Sequence, residues 1–264
     1  MKPQSIPDHI TALYLAAIIY DEKHFKQKLL KYYSPQYMKT SESETDFWAV
    51  VVINRQIWVA IRGTDGTSLS KWFKAWFSDF DARLTDKGRH TGFEIGSRSI
   101  VSDVVETIRY LYSNNYAYRE KSVKITGHSR GSSEEPIVMY DIKKDLPEVC
   151  LSLEGYQFSA FPCGDERFRA EWERMAITGD LVLLRYVNPR DIASWNKFRK
   201  KNRLTPNGVD TPATEIILPP DTWWQRIFKR IPGIVEHRIQ EFFDGFCILY
   251  PENKKLLKQM RREA

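Results

Sequence analysis

Apolar residues recur along the chain with two periods. Ile10, Leu13, Tyr14, Ala17 and Ile18 lie on one face at helical spacing behind Asp8, which predicts an N-terminal helix capped by Asp8. Residues 47–53 and 56–62 are apolar runs on either side of Asn54-Arg55, the pattern of two strands and a tight turn. Helical spacing returns over 67–80 and over 97–112, where Ile100, Val101, Val104, Val105, Ile108 and Leu111 share a face. Residues 123–127, 151–158 and 181–187 read as strands, and 134–144 and 165–176 as helices. This alternation predicts an α/β fold with a mostly parallel central sheet covered by helices. Residues 196–212 are polar and basic around Pro206, Asn207 and Gly208, a long loop. Residues 221–231 and 236–248 read as helices, and 252–264 as a charged C-terminal tail. No Pro/Gly/Ser-rich linker divides the sequence, so residues 1–264 are expected to form a single domain.

Composition narrows the class. The 264 residues are 42% hydrophobic and 28% charged, a globular rather than a disordered balance. Cys150, Cys163 and Cys247 are an odd, sparse set without CxxC spacing, so neither a disulfide framework nor a zinc site is expected. The longest apolar run, residues 10–20, is too short to span a bilayer. Asp8 lies where a signal peptide carries positive charge, and Asp21-Glu22-Lys23 follows without a small-residue cleavage site. A cytoplasmic product is therefore expected, although non-classical delivery outside the cell is compatible with the sequence. Forty Lys and Arg against 34 Asp and Glu give a net charge of +6. Basic clusters lie at Lys197, Arg199, Lys200, Lys201 and Arg203, and at Lys254, Lys255, Lys258, Arg261 and Arg262. No nucleic-acid-reading motif accompanies them, which favours peripheral contact with anionic lipid over nucleic acid. The sequence does not address oligomeric state.

The sharpest motif is Gly127-His128-Ser129-Arg130-Gly131, a G-x-S-x-G at the end of a predicted strand and ahead of a predicted helix. Its glycines permit the tight turn that lifts a serine hydroxyl above a sheet. The plainer reading is a helix start capped by Ser129. A nucleophilic serine needs a base, and the base an orienting acid. On α/β-hydrolase sheets the chain order is serine, acid, histidine. Of His9, His24, His90, His128 and His237, only His237 follows Ser129. The acid belongs just after a strand, outside the carboxyl ends. Asp191 fits that position behind 181–187, Asp180 lies at the wrong end, and Asp210 and Asp221 are weaker candidates.

Together these residues resemble the class 3 (fungal-type) lipase family. Val59-Ala60-Ile61-Arg62-Gly63-Thr64 is similar to that family's strand ending in an oxyanion segment. Trp76-Phe77-Ser78-Asp79 and His90-Thr91-Gly92-Phe93 resemble its W-x-x-D and H-x-G-F. The run from Val123 to Ser129 resembles its strand and nucleophile turn, Arg185 to Asp191 its catalytic-Asp segment, and Glu236-His237 its late acidic-His pair. The matches are colinear over about residues 50–240. The resemblance implies an α/β-hydrolase fold, a Ser129, Asp191 and His237 triad, and an oxyanion hole from Thr64 and the backbone N–H of Arg130. It implies no metal and no cofactor. The sequence departs from the pattern at Arg130-Gly131-Ser132-Ser133-Glu134-Glu135-Pro136, where the family usually has L-G-G-A after the serine, and at Ser159, where it has Gly. Pro136 is expected within the first helical turn, with Ser132 or Ser133 as the cap. Lys124 is an unusual occupant of a buried strand.

Two aromatic stripes remain. Trp72, Phe73, Trp76, Phe77 and Phe80 form one, within a candidate lid over 65–89, and Trp223, Trp224, Ile227, Phe228 and Ile231 form the other. Each has basic neighbours, as interfacial helices do, and core packing is the alternative. The resulting expectation is a serine carboxyl-ester hydrolase, of lipase or phospholipase type, acting through an acyl-enzyme. The alternatives are a catalytically impaired lipase-like fold that binds membrane or protein, and a soluble small-ester or amide hydrolase.

Overall fold

The computed structural model of the chain describes residues 6–41, 46–63, 84–117, 122–147, 152–177, 180–189, 191, 213–219 and 239–264. The expected helices over 67–80 and 221–231, residues 65–83 of the candidate lid, and the 196–212 loop fall outside these residues. So do Thr64, Trp72, Phe73, Trp76, Phe77, Trp223, Trp224 and His237.

Seven strands form one sheet: β1 (Tyr37–Thr40), β2 (Trp48–Ile53), β3 (Gln56–Ile61), β4 (Val123–His128), β5 (Leu153–Phe158), β6 (Leu181–Val187) and β7 (Thr214–Ile217). Their spatial order is their chain order. The pairs β1–β2 and β2–β3 are antiparallel, and every pair from β3 to β7 is parallel. Asn54 and Arg55 join β2 to β3 with φ of 51° and 58°. Two successive positive φ values are the signature of a type I′ turn, whose twist matches that of the strands it joins.

The described helices are α1 (Asp8–Ile18), α2 (Phe25–Leu29), α3 (Thr91–Ser113), α4 (Arg130–Asp145), α5 (Glu166–Ala176), α6 (Ile239–Leu249) and α7 (Lys254–Glu263). The parallel strands advance steadily in one direction, and crossovers between parallel strands are right-handed, so α3, α4 and α5 lie on the same face. There they bury Val50, Val52, Val59, Ile61 and Ile125. The alternate residues Ala49, Val51, Trp58 and Ala60 point to the other face, into a core shared with α1, α6 and α7. Both faces of β2 and β3 are therefore buried, which is why these two strands read as near-continuous apolar runs.

Three expectations need correction here. Asp8 does not cap α1: Pro7 holds that position and no side chain caps the helix. The Asp8 carboxylate instead accepts from Lys124. Lys124 also pairs with Glu154 at 3.1 Å and lies 5.5 Å from the centre of the Trp58 ring, so its burial is compensated on three sides. Second, α1 is buried all round rather than along one stripe, because it sits between the sheet and α6 and α7. Third, α3 begins at Thr91, well before the periodicity at 97. The charged tail is itself folded: α7 buries Leu257 and Met260 and exposes Lys254, Lys255, Lys258 and Arg262. Among the described residues no helix is long and apolar enough to cross a membrane.

Candidate active site

Ser129 stands between β4 and α4 with φ 57° and ψ −122°. A residue with a side chain enters that region at a cost of about 1–3 kcal/mol, so its surroundings must hold it there. Its N–H donates to the Phe158 carbonyl at 3.0 Å, tying the turn to the end of β5. Gly131 packs so tightly under β3 that an added Cβ would lie 2.3 Å from the Ile61 carbonyl oxygen. At Gly63 a Cβ would lie 2.4 Å from the His128 carbonyl oxygen and 3.3 Å from the Ser129 Cβ, so the chain leading to Thr64 passes directly beside the serine. Ser129 makes no side-chain cap bond, which removes the plainer reading of it as an ordinary helix cap. Instead the geometry presents the serine on a strained turn at the carboxyl end of the sheet.

The segment after the serine departs from expectation in a specific way. Helix α4 starts at Arg130, so neither Ser132 nor Ser133 caps it, and Pro136 lies inside it rather than in its first turn. An interior proline cannot donate to the carbonyl four residues back and pushes that carbonyl aside. Here the Ser132 carbonyl accepts from Gln157 Nε2 at 2.7 Å, which replaces the missing bond. The two serines clamp the turn to β5. Ser132 Oγ donates to the Gly127 carbonyl at 2.6 Å and accepts from the Phe158 N–H at 2.7 Å. Ser133 Oγ donates to the Ser129 carbonyl at 3.1 Å and accepts from the Phe161 N–H at 2.8 Å. We expect Gln157→Leu to destabilise the fold by roughly 1–3 kcal/mol, the cost of a buried carbonyl left unpaired. Pro136→Ala supplies a new N–H for the same carbonyl and should reverse most of that loss in the double variant. Additive losses in chemical denaturation would contradict this account.

Asp191 follows β6 and is 0% exposed. Its N–H donates to the Asn188 carbonyl at 2.9 Å, and its carboxylate accepts from the Ser159 hydroxyl. Ser129, Ser159 and Asp191 thus succeed the adjacent parallel strands β4, β5 and β6 at one end of the sheet, the arrangement expected for a nucleophile and its distant acid. His237 and Thr64 lie outside the described residues. Arg130 is at the N-terminus of α4, where the first backbone N–H groups have no acceptor within the helix and form the positive end of its dipole. Its guanidinium is engaged elsewhere, with Glu134 and Asp46, each at 2.6 Å.

Two further contributors escaped the sequence. The Tyr20 hydroxyl lies 2.9 Å from His128 Nδ1 and fixes that ring beside the turn. Arg62 pairs with Glu22 and lies 5.7 Å from the Phe47 ring centre, anchoring the end of β3 just ahead of Gly63. Neither carries a local signal, because each depends on partners far along the chain.

Comparison with solved structures finds this fold in fungal lipases. Rhizomucor miehei triacylglyceride lipase superposes with a TM-score of 0.64 at 16% identity, covering 90% of this chain and 94% of that one. A triacylglycerol lipase from Penicillium expansum gives 0.58 at 15% identity, covering 82% and 80%. A lipase from Rhizopus microsporus var. chinensis gives 0.54 at 21% identity, covering 72% and 69%. At these identities the likeness establishes the α/β-hydrolase fold. No curated protein sequence matches the chain. Residues 58–195 match the family described as Lipase (class 3), and that span holds the end of β3, the serine turn and Asp191. The chain belongs to the class 3 lipase family.

Proposed function

We propose that this class 3 lipase cleaves acyl esters of lipids through an acyl-enzyme, with Ser129 as nucleophile, His237 as base and Asp191 as the acid that orients it. The observation that carries the reading is Ser129 at φ 57° on a strand–turn–helix, with Asp191 buried behind β6 at the same end of the sheet. In this reading Ser129 Oγ attacks the ester carbonyl carbon as His237 takes its proton. The carbonyl oxygen becomes an oxyanion, met by the Arg130 backbone N–H and by Thr64; one such preorganised donor contributes roughly 3–4 kcal/mol to barrier lowering. His237 then returns the proton to the departing alcohol. Water, activated by the same histidine, attacks the acyl-enzyme and releases the fatty acid.

The lipid class is supported by the likeness to triacylglycerol lipases and by the basic, partly apolar surfaces read from the sequence. The exposed lysines of α7 would draw the protein toward anionic lipid headgroups. The strongest ground for an impaired enzyme was the stretch from Ser132 to Pro136. Its hydrogen bonds hold the serine turn in place, which favours the active reading.

A fluorophosphonate probe tests this reading. The folded protein should be labelled within minutes, on the peptide that contains Ser129, and Ser129→Ala should not be labelled. An unlabelled native protein would point to the impaired alternative. Mass spectrometry of products from mixed triacylglycerols and phospholipids, wild type against Ser129→Ala, then assigns the substrate.

A further inference from the structure

The backbone of Ser159 has φ 59°, a left-handed conformation that glycine enters freely and that serine enters at a cost. The residue follows β5 directly and is 2% exposed. Its hydroxyl donates to Asp191 Oδ2, and Asp191 is fully buried. The turn that carries it is held on both sides. The Phe158 N–H is bound by Ser132 Oγ, the Ala160 carbonyl accepts from the buried Arg185 guanidinium at 2.8 Å, and the Phe161 N–H is bound by Ser133 Oγ. The hydroxyl is thus delivered to the carboxylate by a fixed backbone rather than by a free rotor.

We infer that Ser159 is a positioning residue for Asp191: its buried hydroxyl fixes one carboxylate oxygen and so sets the direction in which the other is offered to the base. The inference rests on the reading of Asp191 as the triad acid. A carboxylate bound at one oxygen by a preorganised donor cannot rotate about its terminal bond without losing a charge-assisted hydrogen bond. An orienting acid acts through such fixation. The strained backbone fits this role. A glycine at 159 would satisfy the turn at lower cost and leave Asp191 without this donor, so the hydroxyl is what the serine adds.

The test uses the full chain and a short soluble nitrophenyl ester. Ser159→Gly relieves the backbone and removes the hydroxyl; Ser159→Ala removes the hydroxyl and keeps the Cβ. Both should lower kcat by about tenfold, the usual weight of one hydrogen bond to a charged group, with KM changed less than twofold. Ser159→Gly should melt at the wild-type temperature or above, so the loss cannot be one of folding. In an Asp191→Asn background, either change should cost less than about twofold further, because the two residues act as a unit. An unchanged kcat in Ser159→Gly and Ser159→Ala overturns the inference, as does an equal tenfold loss in the Asp191→Asn background. If Asp191→Asn alone keeps wild-type turnover, the triad reading itself has failed.

Discussion

Ser129→Ala is expected to lower kcat on a short soluble ester by about a millionfold, and His237→Ala by a comparable factor, because nucleophile and base act as a unit. Asp191→Asn should cost about ten-thousandfold, since the base then loses its orienting partner and its preferred tautomer. The double variant Ser129→Ala/Asp191→Asn should be no slower than Ser129→Ala alone. Residual turnover above the water reaction would come from the oxyanion donors and from substrate binding. All three single variants should keep the wild-type circular dichroism spectrum. Two results would redraw the site. Near wild-type turnover in His237→Ala would remove the base that chain order selects. A large loss in Asp210→Asn or Asp221→Asn, with Asp191→Asn unaffected, would move the acid beyond β6.

What the sequence made legible was local. The strands β2 and β3 could be read because both faces of each are buried and every residue but Gln56 is apolar. Ser129 could be read because a nucleophile turn demands small residues at fixed offsets, and Gly131 indeed lies against the Ile61 carbonyl. Asp191 could be placed because it follows a recognisable strand. Several of the departures involve partners distant in sequence. Local rules place Pro136 within a first helical turn, yet Gln157 satisfies the carbonyl that the proline leaves free. Lys124 looked out of place in a strand because Asp8, Glu154 and the Trp58 ring come together only in the fold. Asp8 itself was drawn from its capping role by the same lysine. The short elements β1, α2 and β7 gave no periodic signal, since each spans only four or five residues. Ser159 was visible only as a departure from Gly; its contact with Asp191 needed the packing of β5 beside β6.

The second large effect concerns stability and its dependence on pH. We expect Glu135→Met to raise the melting temperature by several degrees at pH 8 and by less at pH 5. Glu135 lies in α4 with Oε1 over Gly155, a spot that Leu183 and Met139 also border, and among the described residues neither carboxyl oxygen has a hydrogen-bond partner of good geometry. Burial pushes its pKa well above the usual 4.5, against a smaller opposing pull from the Tyr156 backbone N–H. Its neighbour Glu134 is pushed up to about 7, because burial outweighs the pull of Arg130. Arg130 keeps its charge whichever state Glu134 takes, since Asp46 also accepts from it. In the unfolded chain both carboxyls ionise near 4.5, whereas in the folded protein they hold their protons to higher pH. The stability they contribute is therefore complete below about pH 4.5 and is lost as pH rises through the raised folded values. For Glu134 the difference corresponds to roughly 3 kcal/mol lost by pH 8. Methionine at 135 replaces an unpaired carboxyl with an apolar chain of similar length, a change on the order of 2 kcal/mol or more. For a chain of this size that is about 4–8 °C. The wild type should thus melt higher at pH 5.5 than at pH 8, and Glu135→Met should flatten the slope without abolishing it, because Glu134 remains. Differential scanning calorimetry across that range decides the matter: a wild-type melting temperature that rises steadily from pH 5.5 to pH 8 would mean that neither glutamate is held protonated in the folded state.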